Sequence, residues 1–505
     1  MASLRFRRSL AAGLVASAVL LGAAACSASG GSPSKSELVL GVVGNNKDQI
    51  QPYTATSSAS ADALRQELYD GLTEYSDKGG VTMRLAESMT PNAALDVWTV
   101  KLRPDVKLHD GSAFTAADVI QSISYMLDPK NDYPASTQID FVDPARITKV
   151  DDLTLEFHLK KPVGTFPEVW ASRDLLMRGL DAKGEAVGTG PFDLVSFTAG
   201  QQAQLTRFDD YWSEKPGFKN LRLQFFQDQQ AITNALRGGQ IDVAYSVPFT
   251  DVASLKTASH IKTLVSESGA YMTLSMRVDT KPFSDPKVQE ALKLVVDRKQ
   301  IIDNAFGGFA SIGDDYLGNN TDCPAPDVPQ RTQDLAKAKK LLAEAGQSNL
   351  SIELATDGAF PGMMETAQLY AQQAAQAGVT VTVKKLDTAT FLNGWGDWPF
   401  YIGYSGSPYV VTASTHFLPD GVENANHFNN PAFTKLVGEM MATSDHATQC
   451  ALITTMQAID YASGGNIVAA YPQSIVAYRD SVHGLKPDLW GRASTDFAGV
   501  TLGSK

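Results

Sequence analysis

The residues of this 505-residue chain that can act as nucleophiles, bases or metal ligands fall into no catalytic spacing. Ser405 sits in Gly403-Tyr404-Ser405-Gly406, but Ser407 stands where a Gly-x-Ser-x-Gly elbow needs its second glycine. The seven histidines include no His-x-x-x-His pair, and none accompanies a Cys-x-x-Cys cluster. Asp209-Asp210 and Asp314-Asp315 read as ordinary hydrophilic sequence. Aromatic density is the stronger signal. Trp395, Trp398, Phe400, Tyr401, Tyr404 and Tyr409 lie within fifteen residues, beside the hydroxyls of Ser405 and Ser407. Tyr and Trp combine apolar area with a polar tip, which suits a cleft closing on a small molecule. Phe400 and Trp398 are expected to pack in the core. Binding without covalent chemistry, metal or cofactor is therefore the expected activity.

Strands and helices must position these side chains. Trp98, Val100 and Leu102 alternate with Thr99, Lys101 and Arg103, the period of a half-buried strand. Pro104-Asp105 interrupts it, and Val106 and Leu108 resume the alternation as a second strand before a turn at Asp110-Gly111. Thr115 with Asp118 predicts a capping box, and Phe114 with Val119 a hydrophobic staple, so a helix should follow. Glu37 to Val43, Leu153 to Phe157, Ile241 to Val243, Tyr271 to Met276, Leu350 to Leu354, Val379 to Val383 and Tyr471 to Tyr478 read as further strands. Between them, Ile232 to Gly239, Asp285 to Val295 and Leu335 to Gly346 read as helices. This alternation predicts an α/β chain, and its length predicts more than one core.

The run Lys101 to Gly111 (KLRPDVKLHDG), followed by Phe114-Thr115-Ala116-Ala117-Asp118-Val119, resembles the signature of the family 5 extracellular solute-binding proteins, the peptide- and nickel-binding group that serves ABC importers. Further fragments occur in family order: Leu85-Ala86-Glu87-Ser88, Gly188-Thr189-Gly190-Pro191-Phe192, Tyr211-Trp212, Asp297-Arg298 and Val482-His483-Gly484-Leu485-Lys486-Pro487. The resemblance spans Leu38 to Asp488. It implies a two-lobed, periplasmic-binding-protein-like fold (class II, cluster C) with an extra subdomain in lobe 1. The implied layout is lobe 1 over residues 37–268 and 477–505, an inserted subdomain at about 55–187, and lobe 2 over 269–476. It also implies capture of a peptide-like or other small polar solute between the lobes, and delivery to ABC permease subunits by a monomer. A sensory lipoprotein presenting ligand to a signalling partner is the alternative; an extracellular hydrolase is the third reading.

In this family the serine-rich loop before a Tyr-x-Gly-Leu helix end faces the ligand, which nominates Tyr53, Thr56, Ser57 and Ser58. The same resemblance nominates Tyr271 at the crossover and Phe360 in the Asp357–Met363 loop, alongside Trp395, Tyr404, Ser405, Ser407 and Tyr409. Peptide-binding members follow a Gly-Trp near this point with an aspartate that neutralises the ligand's ammonium. Here Gly403-Tyr404 aligns, yet no Asp or Glu occurs between Trp398 and Pro419. Their carboxylate anchor is basic and comes from the region of Asp357 to Glu365, but no Lys or Arg occurs from Leu350 through Val383. An unpaired buried ammonium costs several kcal/mol. The expected ligand is therefore neutral, a modified peptide, or another polar compound held by stacking and hydroxyls.

The N-terminus joins Arg5, Arg7 and Arg8 to an apolar stretch from Leu10 to Leu21, too short for a membrane span. Gly22-Ala23-Ala24-Ala25-Cys26 resembles a lipobox with Ala23 in place of the commoner Leu or Val. Residues 1–25 then read as a signal peptide, Cys26 as lipidated and 26–36 as a flexible tether, with ordinary signal cleavage as the alternative. A lipid on Cys26 would hold the chain at the outer face of a bacterial cell membrane. Cys323 and Cys450 would then share an oxidising compartment, either as one disulfide or as two separate buried thiols. A formal charge of −12 argues against a nucleic-acid partner, which requires a basic field.

Overall fold

The computed structural model describes residues 36–503, apart from 45, 54–57, 77–79, 132, 181–182, 319–320 and 488–495. The expected signal peptide, Cys26 and most of the tether lie outside the described residues, as do Thr56 and Ser57.

A seven-stranded sheet carries, in order, Phe192–Thr198, Gln202–Arg207, Asn220–Phe226, Glu37–Val43, Val243–Tyr245, Ser474–Arg479 and Ile261–Ser266. Its central strand, Glu37–Val43, runs parallel to both neighbours and buries five consecutive residues, the mark of a strand covered on both faces. A five-stranded sheet carries Thr380–Lys385, Ser351–Thr356, Phe400–Ser405, Tyr271–Met276 and Asn466–Ile467. The chain passes from the first sheet to the second after Ser266 and returns between Ile467 and Ser474. Phe249 meets Phe306 edge-on at 5.3 Å, inside one apolar cluster that joins Ile232 and Leu236 to Leu274 and Phe400.

A third, four-stranded sheet carries Ala86–Pro91, Val97–Leu102, Thr154–His158 and Ile147–Lys149 over its own core of Trp98, Phe157, Phe166 and Trp170. Trp98, Val100 and Leu102 point inward as their alternation predicts. The helix Ala116–Met126 begins where the capping box places it: the Asp118 carboxylate accepts from the Thr115 N–H at 2.8 Å and from its hydroxyl at 2.9 Å. The predicted second strand does not form. Val106 and Leu108 are buried, but only the single bridge Lys107–Ala113 links the two arms. The turn at Gly111 (φ 85°) is so tight that Leu108 N–H already bonds to Ser112 O.

The Gly188-Thr189-Gly190 turn lies on the exposed carbonyls at the end of helix Ala59–Leu68. Gly190 N–H donates to Leu68 O at 3.0 Å, satisfying one of the carbonyls a helix end leaves open. A Cβ on Gly188 would sit 1.7 Å from Leu68 O, so Gly188→Ala should displace the turn. The expected cost is about 1–3 kcal/mol or more, read as a lower urea midpoint. Gly438→Ala, in helix Pro431–Met441 with nothing near its Cβ position, should move the midpoint slightly upward.

The part of the chain around the five-stranded sheet buries several charges. Asp460 is fully buried and accepts from Leu317 N–H at 2.8 Å, while Lys293, 1% exposed, donates to Tyr461 O at 3.1 Å. Burial pushes the Asp460 carboxyl up to about 7 and pulls the Lys293 ammonium down from its ordinary value. Between its ordinary value of 3.8 and about 7, folded Asp460 holds a proton that the unfolded chain has released. Its contribution is therefore complete at low pH and is lost as pH rises through 7. Lys293 acts in the opposite sense, over a window that ends at its ordinary value of 10.5. Asp460→Asn, which imitates the protonated acid, should gain stability relative to the parent between about pH 4.5 and pH 7.5. Urea midpoints of the two proteins at both pH values check this; a constant difference would refute it.

Candidate functional site

The antiparallel pairing of Tyr271–Met276 with Phe400–Ser405 sets Tyr271 opposite Ser405, Thr273 opposite Gly403 and Ser275 opposite Tyr401. Alternate residues of a strand share a face, so these six side-chain positions form one wall. The other face of Tyr271–Met276 carries Met272, Leu274 and Met276 into the apolar cluster. On the polar wall, Ser275 Oγ lies 2.8 Å from Thr273 Oγ1 and 3.0 Å from Asn466 Oδ1, on the neighbouring strand. Gly403 leaves room for this chain of hydroxyls: a Cβ there would come within 3.0 Å of Thr273 Oγ1. Burial raises the Tyr401 phenol well above its ordinary value, so it stays neutral.

Around that wall close Trp395, Tyr404, His416, Glu423 and Asn426. Trp395 meets Tyr401 edge-on at 5.2 Å, and the Tyr271 hydroxyl lies 3.4 Å from His416 Nε2. The free space enclosed is about 30 Å³, the share of a single water. Ligand sites need several hundred cubic ångströms, so the walls must part to admit a solute. Tyr404 also borders a second small space, where Ser268 of one crossover meets Gln473 and Ser474 of the other. There Phe360 stacks face to face on Tyr404, centroids 3.8 Å apart. Tyr404 thus borders both the polar wall and the segments that connect the two sheets.

Of the nominated residues, Tyr271, Trp395, Tyr404 and Ser405 come together at this cavity, and Phe360 covers Tyr404 from behind. Ser407 is nearly buried, and its carbonyl accepts from Thr412 Oγ1. Tyr409 is 2% exposed and does not line the cavity; it packs with Phe417 and Phe433 in the apolar cluster that also holds Tyr271. Tyr53 is equally buried in the first lobe, its hydroxyl donating to Leu176 O at 2.6 Å. Ser58 caps helix Ala59–Leu68 and donates to Asp48. Cys323 and Cys450 are joined as a disulfide with Cα atoms 4.9 Å apart, so the neighbouring Asp322 has no thiolate beside it with which to hold a metal.

Thr273, Ser275, Asn466, His416, Glu423 and Asn426 were not anticipated. Thr273 and Ser275 carried a signal, a strand with polar residues at every second position against Met272, Leu274 and Met276. The others reach the cavity from distant segments. Glu423 follows the acid-free stretch from Trp398 to Pro419, lines the cavity and stands 3.8 Å from His416 Nε2. Among the described residues no Lys or Arg lines this cavity.

The profile of the bacterial extracellular solute-binding proteins, family 5 (middle region) matches residues 80–417. The chain belongs to this family. It is 28% identical over 442 residues to the glutathione-binding protein GsiB of Pectobacterium atrosepticum, covering 82% of this chain and 85% of that one. Among solved structures, the periplasmic binding protein DppA of Helicobacter pylori, in complex with the peptide STSA, superposes with a TM-score of 0.81 at 22% identity, over 93% of this chain and 98% of that chain. The binding protein AgaA of Agrobacterium tumefaciens R10, in complex with agropinic acid, gives 0.79 at 22% identity, over 93% and 99%. The fold is thus the two-lobed α/β architecture of cluster C binding proteins, and the chain is an extracytoplasmic solute-binding protein of the ABC importer type. No helix among the described residues is long and apolar enough to cross a membrane.

Proposed function

We propose that this protein captures a small polar, peptide-like solute against the Tyr271-Thr273-Ser275 wall and delivers it to the permease subunits of an ABC importer. The observation that carries the reading is the polar face of the crossover strand. It faces Trp395 and Tyr404, at the point where the chain passes between the sheets. Contacts with both lobes would favour the closed form, which the permease then recognises. In this reading lobe 1 comprises residues 37–268 and 477–505, with the subdomain at about 55–187, and lobe 2 comprises 269–476; the sheet memberships support that division. The protein works as a monomer held to the membrane by a lipid on Cys26, and no bond of the solute is made or broken. The relatives named for glutathione and for a peptide support a peptide-like ligand, and Glu423 supplies a carboxylate for a donor group on it.

Mass spectrometry of compounds released by denaturing freshly purified protein tests this. The expected result is one dominant small polar compound, recovered unchanged after incubation with the protein. Added back at a hundred times its Kd, it should stabilise the fold by about 2.7 kcal/mol. A compound recovered chemically altered would replace transport with catalysis.

A further inference from the structure

The first lobe carries a further pocket, of about 630 Å³ and open on one side to solvent, that shares no lining residue with the Tyr404 cavity. Gln51, Tyr69, Gln121, Tyr125 and Arg178 form part of its wall. Arg178 is 4% exposed. Its guanidinium lies over the Tyr125 ring, 3.7 Å from the centroid, and Nη1 reaches Gln51 Oε1 only at 3.5 Å. Its Nε has no hydrogen-bond partner, and no carboxylate among the described residues pairs with it. A guanidinium cannot escape this by losing its proton, and an isolated buried charge is costly.

The arginine is also held in place. Its N–H donates to Ser122 Oγ at 3.0 Å, and the same hydroxyl donates to Arg178 O at 2.8 Å. Ser122 belongs to helix Ala116–Met126, which brings Tyr125 and Gln121 to the same wall. The Gln121 side-chain oxygen Oε1 is buried and has no donor. One cavity therefore presents an unmatched buried donor and an unmatched buried acceptor. Of the acids on its wall, Glu185 is exposed, and the half-exposed Asp193 faces His109 at 3.8 Å.

We propose that this cavity is an oxyanion site in the first lobe. It takes a small carboxylate, whose oxygens engage the Arg178 fork while an N–H or O–H of the same molecule donates to Gln121. The planar fork matches a carboxylate in geometry and charge. The proposal does not depend on what the Tyr404 cleft holds.

Calorimetric titration of the full chain with N-acetylglycine and with its neutral amide, at matched ionic strength, tests it. The acid should bind at least about tenfold more tightly than the amide, the margin expected of a charge-assisted bond over a neutral one. Arg178→Gln should lose that preference, and Arg178→Lys should keep part of it. Gln51→Glu guards against a folding defect: it places a carboxylate within reach of Nη1, and should abolish acid binding while raising the melting temperature. Equal affinity for acid and amide, no binding of the acid, or unchanged binding in Gln51→Glu would each overturn the proposal.

Discussion

Asp315→Ala should lower the unfolding free energy by about 3–5 kcal/mol, the cost of leaving a buried charge without its partner. Asp315 is fully buried, and its Oδ2 accepts from Arg298 Nη2 and Arg331 Nη1, each at 2.6 Å. Its Oδ1 accepts from the Val468 N–H at 2.9 Å, tying helix Arg298–Ala305 to the segment that leads back to the first sheet. Arg331 keeps Glu290 at 3.1 Å after the substitution, but the Arg298 side chain, 2% exposed, keeps only the Arg331 carbonyl as a hydrogen-bond partner, with the charge of the half-buried Asp314 nearby. The loss therefore falls on Arg298, and removing both charges should restore part of the stability. In an Arg298→Met background, Asp315→Ala should cost less than in the parent by about 1 kcal/mol or more. Additive urea midpoints across the four proteins would show that the pair is not coupled.

Much of the scaffold was legible because its signals are local. Trp98 to Leu102 alternates, Thr115 and Asp118 cap, and each pattern needs only a few neighbouring residues to fix its outcome. The failure at Val106 and Leu108 is instructive: alternation describes which side chains point inward, and both do, but a strand also needs a longer ladder than the single bridge that the Gly111 turn closes. The ion network around Asp315 was read as ordinary hydrophilic sequence, since nothing at Asp314-Asp315 announces arginines 17 and 16 residues away folding onto it.

The site was legible only on its aromatic side. Trp395 and Tyr404 stand out by composition, whereas Ser275, Asn466 and Glu423 become a site only when strand register and a long connection bring them together. Reading charge over a contiguous stretch missed Glu423 for that reason. Tyr53 and Tyr409 show the converse, since aromatic rings near a polar loop are equally suited to packing, and both are buried here. The helix that begins at Ala116 was read as scaffold, yet it also carries Gln121 and Tyr125 to the Arg178 cavity.

Tyr404→Ala should weaken binding of the compound recovered from the protein by about 10- to 100-fold, roughly 1.4–2.7 kcal/mol, the range of an interface residue that carries much of the binding energy. The ring bridges the polar wall and the crossovers: it lines the cavity with Thr273 and Ser275, and it also borders Ser268 and Gln473. Because the free space beside the wall is about 30 Å³, a solute fits only where the cleft widens around Tyr404 and its neighbours. Tyr404→Phe keeps the stack and removes the hydroxyl, so it should retain most of the affinity if ring area dominates. Phe360→Ala removes the stack from the other side, and its effect should not add to that of Tyr404→Ala. Since Tyr404 is only partly buried, these substitutions should change the melting temperature of the ligand-free protein far less than they change affinity. Affinity within twofold of the parent in Tyr404→Ala would move the ligand out of this cleft altogether. The polar wall would then be a hydrogen-bonded seam between strands, and not a recognition surface.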